Sequence, residues 1–151
     1  MIELFLMDIK GAGILVINED GEVLVLHRKP FVPEGRKWGL PGGKIEEGQE
    51  PFDAAKHKAL HEVGLKFESD RLDFLGKFEF SAEGNDVVYS VWMARYLDTD
   101  GGIKLNKEGH SEFKWQKPEI LLKKNDLMVG MYPILKKFLE YKKRNPVRIY
   151  L

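Results

Sequence analysis

No cysteine occurs among the 151 residues. That excludes a disulfide framework, a thiolate zinc site and a cysteine nucleophile. It fits a reducing compartment, so a cytoplasmic location is the expectation. Net charge is also lacking, because 24 Lys and Arg are matched by 24 Asp and Glu. A neutral chain does not attract a polyanion through bulk charge, so nucleic acid binding is not expected, while a local phosphate site stays open. No stretch approaches the roughly 18 apolar residues of a membrane helix, so no membrane association is expected. Met1 to Lys10 lacks a basic leader and is interrupted by Glu3 and Asp8, and is not read as a signal peptide. Repeats, low-complexity tracts and interdomain linkers are missing too. One domain over residues 1–151 is expected, long enough for a proper core.

What is present begins with a hairpin. Ala12 to Asn18 reads as a buried strand and Glu22 to His27 as its return, with Asp20-Gly21 as a two-residue turn signal. Lys29 to Lys37 holds two prolines, a glycine and three basic residues and reads as a loop. Trp38 to Gly43 is a tight, glycine-rich segment, and Glu46 to Gln49 continues the turn. Pro51 suits the first position of a helix. Phe52, Ala55, Ala59 and Val63 recur at helical spacing and are expected to face the core, with Gly64 as the C-cap. Leu72 to Phe80 and Val87 to Tyr96 read as strands around a Glu83–Asp86 turn, followed by a short strand over Glu112 to Gln116. Pro118 to Leu122 suggests a helical turn. From about Leu127 to Lys143, residues Met131, Ile134, Leu135, Phe138 and Leu139 form a helical stripe. Core packing is the ordinary use of such a stripe, and a homodimer surface is the alternative.

The order is hairpin, loop, helix, strands, C-terminal helix. That implies an α/β chain of the α+β type, with helices on a mixed sheet. Regular strand–helix alternation is missing, so a parallel nucleotide fold is not indicated. Pro41-Gly42-Gly43 is no P-loop, because no Gly-Lys-Ser/Thr ends it.

The run from Trp38 to Gly48, followed by a helix that ends Glu62-Val-Gly-Leu65, resembles the Nudix box. The family pattern is glycine, five residues, glutamate, seven residues, then Arg-Glu-apolar-any-Glu-Glu-any-Gly-apolar. With its first glycine at Gly43, Gly64 and Leu65 fall in place. The hairpin, the basic loop and the segment from Glu108 to Trp115 also look like MutT-type members, so the resemblance spans most of the chain. It implies a Nudix α/β/α sandwich with a mixed central sheet. It implies hydrolysis of a pyrophosphate bond by water with Mg or Mn, in a nucleoside diphosphate derivative.

The charged positions depart from that pattern. Its first glutamate falls on Gln49, its arginine on His57, and the next glutamate on Lys58. The first of the Glu-Glu pair falls on His61, and only Glu62 is kept. Five positions that carry three net negative charges in the pattern here sum to zero with neutral histidines. A hard divalent ion needs oxygen ligands and compensating negative charge. Like charges about 4 Å apart repel by roughly 4 kcal/mol at an effective dielectric of about 20, so Lys58 opposes a nearby cation. Weak metal binding is therefore expected.

The motif assigns Glu62 as metal ligand and catalytic carboxylate, against an ordinary solvated helix charge. Glu108 matches a loop where MutT-type enzymes place another carboxylate near metal or water, so it is assigned to catalysis and metal, with Glu112 as a weaker stand-in. His61 is a metal candidate. With His57 it could clamp a transition metal, though two such histidines more often face solvent. Arg28 and Arg36, beside Lys29 and Lys37, are candidates for substrate phosphates. Lys58 could place its ammonium where the family places a metal and so bind a substrate phosphate directly, against an ordinary helix lysine. Gly42 and Gly43 serve the backbone turn and close approach to a ligand. Glu46, Glu47 and Glu50 lie at the helix entrance, where the dipole favours acidic residues in any case. Trp38 and Trp115 read as packing residues before stacking platforms.

The first functional expectation is a MutT-like pyrophosphohydrolase acting on a nucleotide-type small molecule, a nucleoside triphosphate before a larger dinucleotide. A catalytically inactive Nudix domain that binds a nucleotide or a protein is the rival class. A histidine-based transition-metal enzyme ranks third.

Overall fold

The computed structural model describes residues 8–145. Most of the N-terminal patch read from the sequence lies outside them. Seven strands form one mixed sheet: β1 (Asp8–Ile17), β2 (Val23–Arg28), β3 (Trp38–Gly39), β4 (Gly42–Lys44), β5 (Asp73–Ala82), β6 (Asn85–Arg95) and β7 (His110–Gln116). Three α-helices accompany them: α1 (Pro51–Val63), α2 (Pro118–Leu121) and α3 (Met131–Arg144). β1 pairs in parallel with β6, and every other pairing between these strands is antiparallel.

Alternation along the strands sorts the apolar residues to two faces. Ala12, Ile14 and Val16 of β1, with Leu24 and Leu26 of β2, pack against Ala54, Ala55, Ala59 and Val63 of α1. Leu15, Ile17, Val23 and Val25 point the other way, onto Met131, Ile134, Leu135 and Phe138 of α3. The expected α/β/α sandwich follows, and of the C-terminal stripe Met131, Ile134, Leu135 and Phe138 are core while Leu139 is only half-buried. Phe52 departs from expectation. It is half-buried and meets Trp92 edge-on at 5.3 Å, while Ala54 is buried in its stead.

The termini of α1 match the reading. Pro51 stands in the first turn, and Gly64 takes φ 73°, its N–H reaching the Leu60 carbonyl. Other boundaries moved. Asp20-Gly21 is not a two-residue hairpin turn. The Gly21 N–H donates to the Asn18 carbonyl, Gly21 sits at φ 77°, and the Asn18 N–H pairs with the Glu22 carbonyl. This is a three-residue loop with a left-handed glycine, steadied by the Asn18 side chain, which accepts from the Asp20 and Glu22 N–H groups. The turn between β5 and β6 is tighter than expected: Glu83 and Gly84 both take positive φ, 51° and 79°. α3 starts at Met131, because Leu127 is drawn into a parallel bridge with Trp38.

The largest difference is at the glycines. Gly42 and Gly43 stand on a strand, where the sequence suggested a loop. β1 and β2 share only the Ile17–Val23 pair near their turn. They then diverge, and the Trp38–Lys44 segment fills the gap. β3 pairs Gly39 and Trp38 with Leu26 and His27 of β2, and β4 pairs Gly42, Gly43 and Lys44 with Gly13, Ala12 and Gly11 of β1. Pro41 lies between, its carbonyl accepting from the Ile14 N–H.

Candidate functional site

The wedge brings β4 beneath the last turns of α1. Glu62 reaches across, and its Oε1 accepts from the Gly42 N–H at 2.9 Å. Burial raises the Glu62 carboxyl from 4.5 to about 7. The Gly42 hydrogen bond and the charges of Lys58 and Arg28 hold that rise back. Lys58, one turn earlier on the same helix face, lies along Gly43. A Cβ placed on Gly43 would stand 3.5 Å from the Lys58 Cε and 3.6 Å from its Nζ. Arg28, at the end of β2, is half-buried, and its Nε donates to the Pro33 carbonyl at 2.7 Å. Arg28, Gly42 and Gly43 also line a slot of about 70 Å³ that runs toward Tyr89, Phe80 and Met128.

Five of the residues named from the sequence therefore meet at one corner: Arg28, Gly42, Gly43, Lys58 and Glu62. Others do not join it. Arg36 is exposed in the loop at φ 62°, and its carbonyl takes a His27 ring nitrogen at 3.0 Å. His61 is exposed, stacks on His57 at 6.2 Å, and has Asn106 Nδ2 3.3 Å from its Nε2. The carboxylate of Glu108 is exposed, while its backbone N–H donates to Asn106 Oδ1 at 3.0 Å. Gln49 folds back on its own turn and accepts the Glu46 N–H at 3.1 Å. Trp38 is buried with Lys114 over its ring at 4.1 Å, and Trp115 packs on Tyr96, so both serve packing.

Two contributors were not read from the sequence. Tyr89 of β6 buries its hydroxyl against Gly13 and Gly42, beside Glu62, and burial holds it protonated far above the usual phenol range. The signal was the Gly11-Ala12-Gly13 alternation, which leaves one face of β1 free for a ring from a neighbouring strand. Asn106 ties the Glu108 loop to α1, since its N–H donates to the Glu62 carbonyl at 2.8 Å.

The chain matches the NUDIX domain over residues 7–138. It belongs to the Nudix family. The solved MutT protein of Methanosarcina mazei Go1 shares the fold, with a TM-score of 0.79 at 24% identity, covering 90% of this chain and 96% of that one. An RNA pyrophosphohydrolase of Bartonella bacilliformis is 36% identical over 62 residues, 38% of this chain and 36% of that protein. A Bacillus subtilis protein, provisionally named an 8-oxo-dGTP diphosphatase, is 38% identical over 102 residues, 56% of this chain and 66% of that protein. The matched stretch thus spans about a third of the first relative and just under two thirds of the second.

Nudix proteins generally use divalent ions, and the residues at this corner do not fit one. Among the described residues, no group of three His, Asp or Glu side chains converges as a metal site. Glu62 is the single box carboxylate, an ammonium stands beside it, and Gln49 and His61 are turned to other partners. Magnesium keeps most of its water and takes one or two carboxylates with substrate phosphates, so the lack here is of negative charge: one carboxylate with a lysine acting on it.

Proposed function

We propose that this Nudix protein acts on the pyrophosphate linkage of a nucleoside diphosphate derivative, a nucleoside triphosphate before a larger dinucleotide. The carrying observation is the corner itself: Lys58 at Gly43, Glu62 on the Gly42 N–H and Arg28 close enough to act on Glu62, beside a largely apolar slot that Arg28 and Glu34 also line. Arg28 and Lys58 offset phosphate charge, and the slot takes the nucleoside side of the ligand. In hydrolysis, water attacks phosphorus, the bridging P–O bond breaks toward the leaving phosphate, and Glu62 takes the proton of the water. The relatives' names support the bond class, since each denotes cleavage of a phosphoanhydride. Glu108 receives no role here, because its carboxylate is exposed on a separate loop. Magnesium or manganese is held weakly.

A second reading has its own observation. Lys58 beside Gly43 fits a site that binds without cleaving. A panel of nucleoside triphosphates and dinucleoside polyphosphates separates the two, assayed with magnesium, manganese, cobalt, zinc and EDTA. Slow turnover of a nucleoside triphosphate that is lost in Glu62→Gln supports the hydrolase. Nucleotide binding by calorimetry, with no turnover under any condition, replaces it with the binding module.

A further inference from the structure

We infer that Lys58 is the resident cation of this site: its ammonium binds the diphosphate oxygens directly, so that diphosphate binding does not depend on a divalent ion. The inference rests on the reading that this corner takes a diphosphate. Three observations on Lys58 carry it.

The first is position. Lys58 precedes Glu62 by four residues on α1, so both side chains leave the same helix face toward β4. The Lys58 stem lies in van der Waals contact with the space over the Gly43 α-carbon, which leaves its ammonium at the strand that carries the box glycines.

The second is availability. Among the described residues, no hydrogen bond or ion pair holds the Lys58 ammonium. Among the described residues its three N–H donors are open to a ligand, and Glu62 acts on it through the longer-range charge interaction.

The third is charge. Lys58 and Arg28 together carry two positive charges, the charge of one divalent ion, and both act on Glu62; Glu34, which lines the slot with Arg28, is engaged by the Val129 N–H and by Lys37. A diphosphate needs that neutralisation from some source. Here it is attached covalently to α1 and β2. The same ammonium repels a divalent ion from the place where the family pattern has a glutamate.

Calorimetry on the full chain tests this with inorganic pyrophosphate and ADP as ligands, in EDTA and in excess magnesium. The expected dissociation constants agree within about threefold between the two conditions. Lys58→Met weakens binding by at least about tenfold, as loss of a charge-assisted contact does, and Lys58→Arg keeps most of it. Lys58→Glu reverses the dependence, with binding only when magnesium is present. Circular dichroism melts confirm that each variant is folded, and the arginine variant reads the charge with minimal disturbance. Wild-type binding that requires magnesium, or a Lys58→Met variant that binds like wild type, overturns the inference and leaves the diphosphate reading standing. Failure of both ligands to bind in either condition removes that reading and the inference with it.

Discussion

Glu62 and His110 titrate in opposite senses. Burial raises the Glu62 carboxyl to about 7, so the folded protein holds a proton that the unfolded chain has released. Its contribution to stability is therefore largest below pH 4.5 and falls as pH rises toward 7. His110 is buried near Arg28, and burial lowers it from 6.5 to about 4. The unfolded chain binds that proton first, so the His110 contribution is complete above pH 6.5 and is lost as pH falls toward 4. Each displacement is worth roughly 3 kcal/mol as an upper figure. From pH 4.5 to 6.5 the two trends offset each other. Urea melts of the wild type are expected to show little slope from these groups in that window. Glu62→Gln unmasks His110, and stability then rises with pH by about 1–3 kcal/mol. A His110→Phe variant that still folds is expected to slope the other way. The glutamine keeps an oxygen for the Gly42 N–H, so Glu62→Gln is expected to melt no lower than wild type near pH 7.5. Its turnover drops by a factor of about 10²–10⁴, the usual weight of a proton acceptor. At this scale the sequence was legible wherever spacing along one helix decides proximity, as for Lys58 and Glu62. Tyr89 was not, because its place depends on the β1–β6 register that sets Gly11 opposite it.

Among the elements, β4 is the most demanding. A Cβ on Gly42 would come within 2.6 Å of the Ala12 carbonyl oxygen and 2.7 Å of the Gly13 α-carbon, besides meeting the Tyr89 hydroxyl. Those neighbours are backbone of the paired strand and cannot turn aside. Gly42→Ala is expected to lower stability by about 1–3 kcal/mol and to displace the N–H that holds Glu62, measured by thermal melts and nucleotide calorimetry together. Gly48→Ala is the contrast. No atom lies within 4 Å of that position, so its φ of 87° is the whole difficulty, and a cost of about 1–2 kcal/mol follows without loss of binding. The bounds of α1 were legible, since Pro51 and Gly64 are local signals, and its apolar face was read correctly except that Ala54 takes the core place expected for Phe52. β4 was not, because three residues directly after Pro41, two of them glycine, carry no strand period, and their pairing comes from the gap between β1 and β2. The start of α3 was missed for a related reason: Leu127 fits the helical stripe, yet a long-range bridge with Trp38 claims it.

For the molecule as a whole, charge is the controlling quantity. The sandwich was legible from the order of elements, and the box glycines located the corner. The sequence did not reveal which charged residues meet there, since Arg28 arrives from β2 and the Glu108 loop is tied aside by Asn106. Combining Gln49→Glu, Lys58→Glu and His61→Glu adds four negative charges to the same region while leaving the buried alanines of α1 and Gly64 in place. Without metal, this variant is expected to melt below wild type through like-charge repulsion. With magnesium its melting temperature rises as the ion concentration rises, by mass action on the folded state, while the wild type stays unchanged. A differential scanning fluorimetry series in magnesium reads both.

The divergence of β1 and β2 gives the sheet the form of a pair of tweezers. The arms join at Ile17 and Val23, and the Trp38–Lys44 segment sits between them like an object already gripped. One arm carries Arg28 near its tip, and the other holds β4 beneath the Lys58 and Glu62 of α1. A ligand that touches both cations ties the two tips together, which the joint at the far end cannot do. Amide exchange at Gly39, Gly42 and Gly43 therefore slows when the tips are bridged, while exchange at Ile17 and Val23 stays as it was. Grip at the open end of the sheet becomes visible as a gradient of protection along two strands.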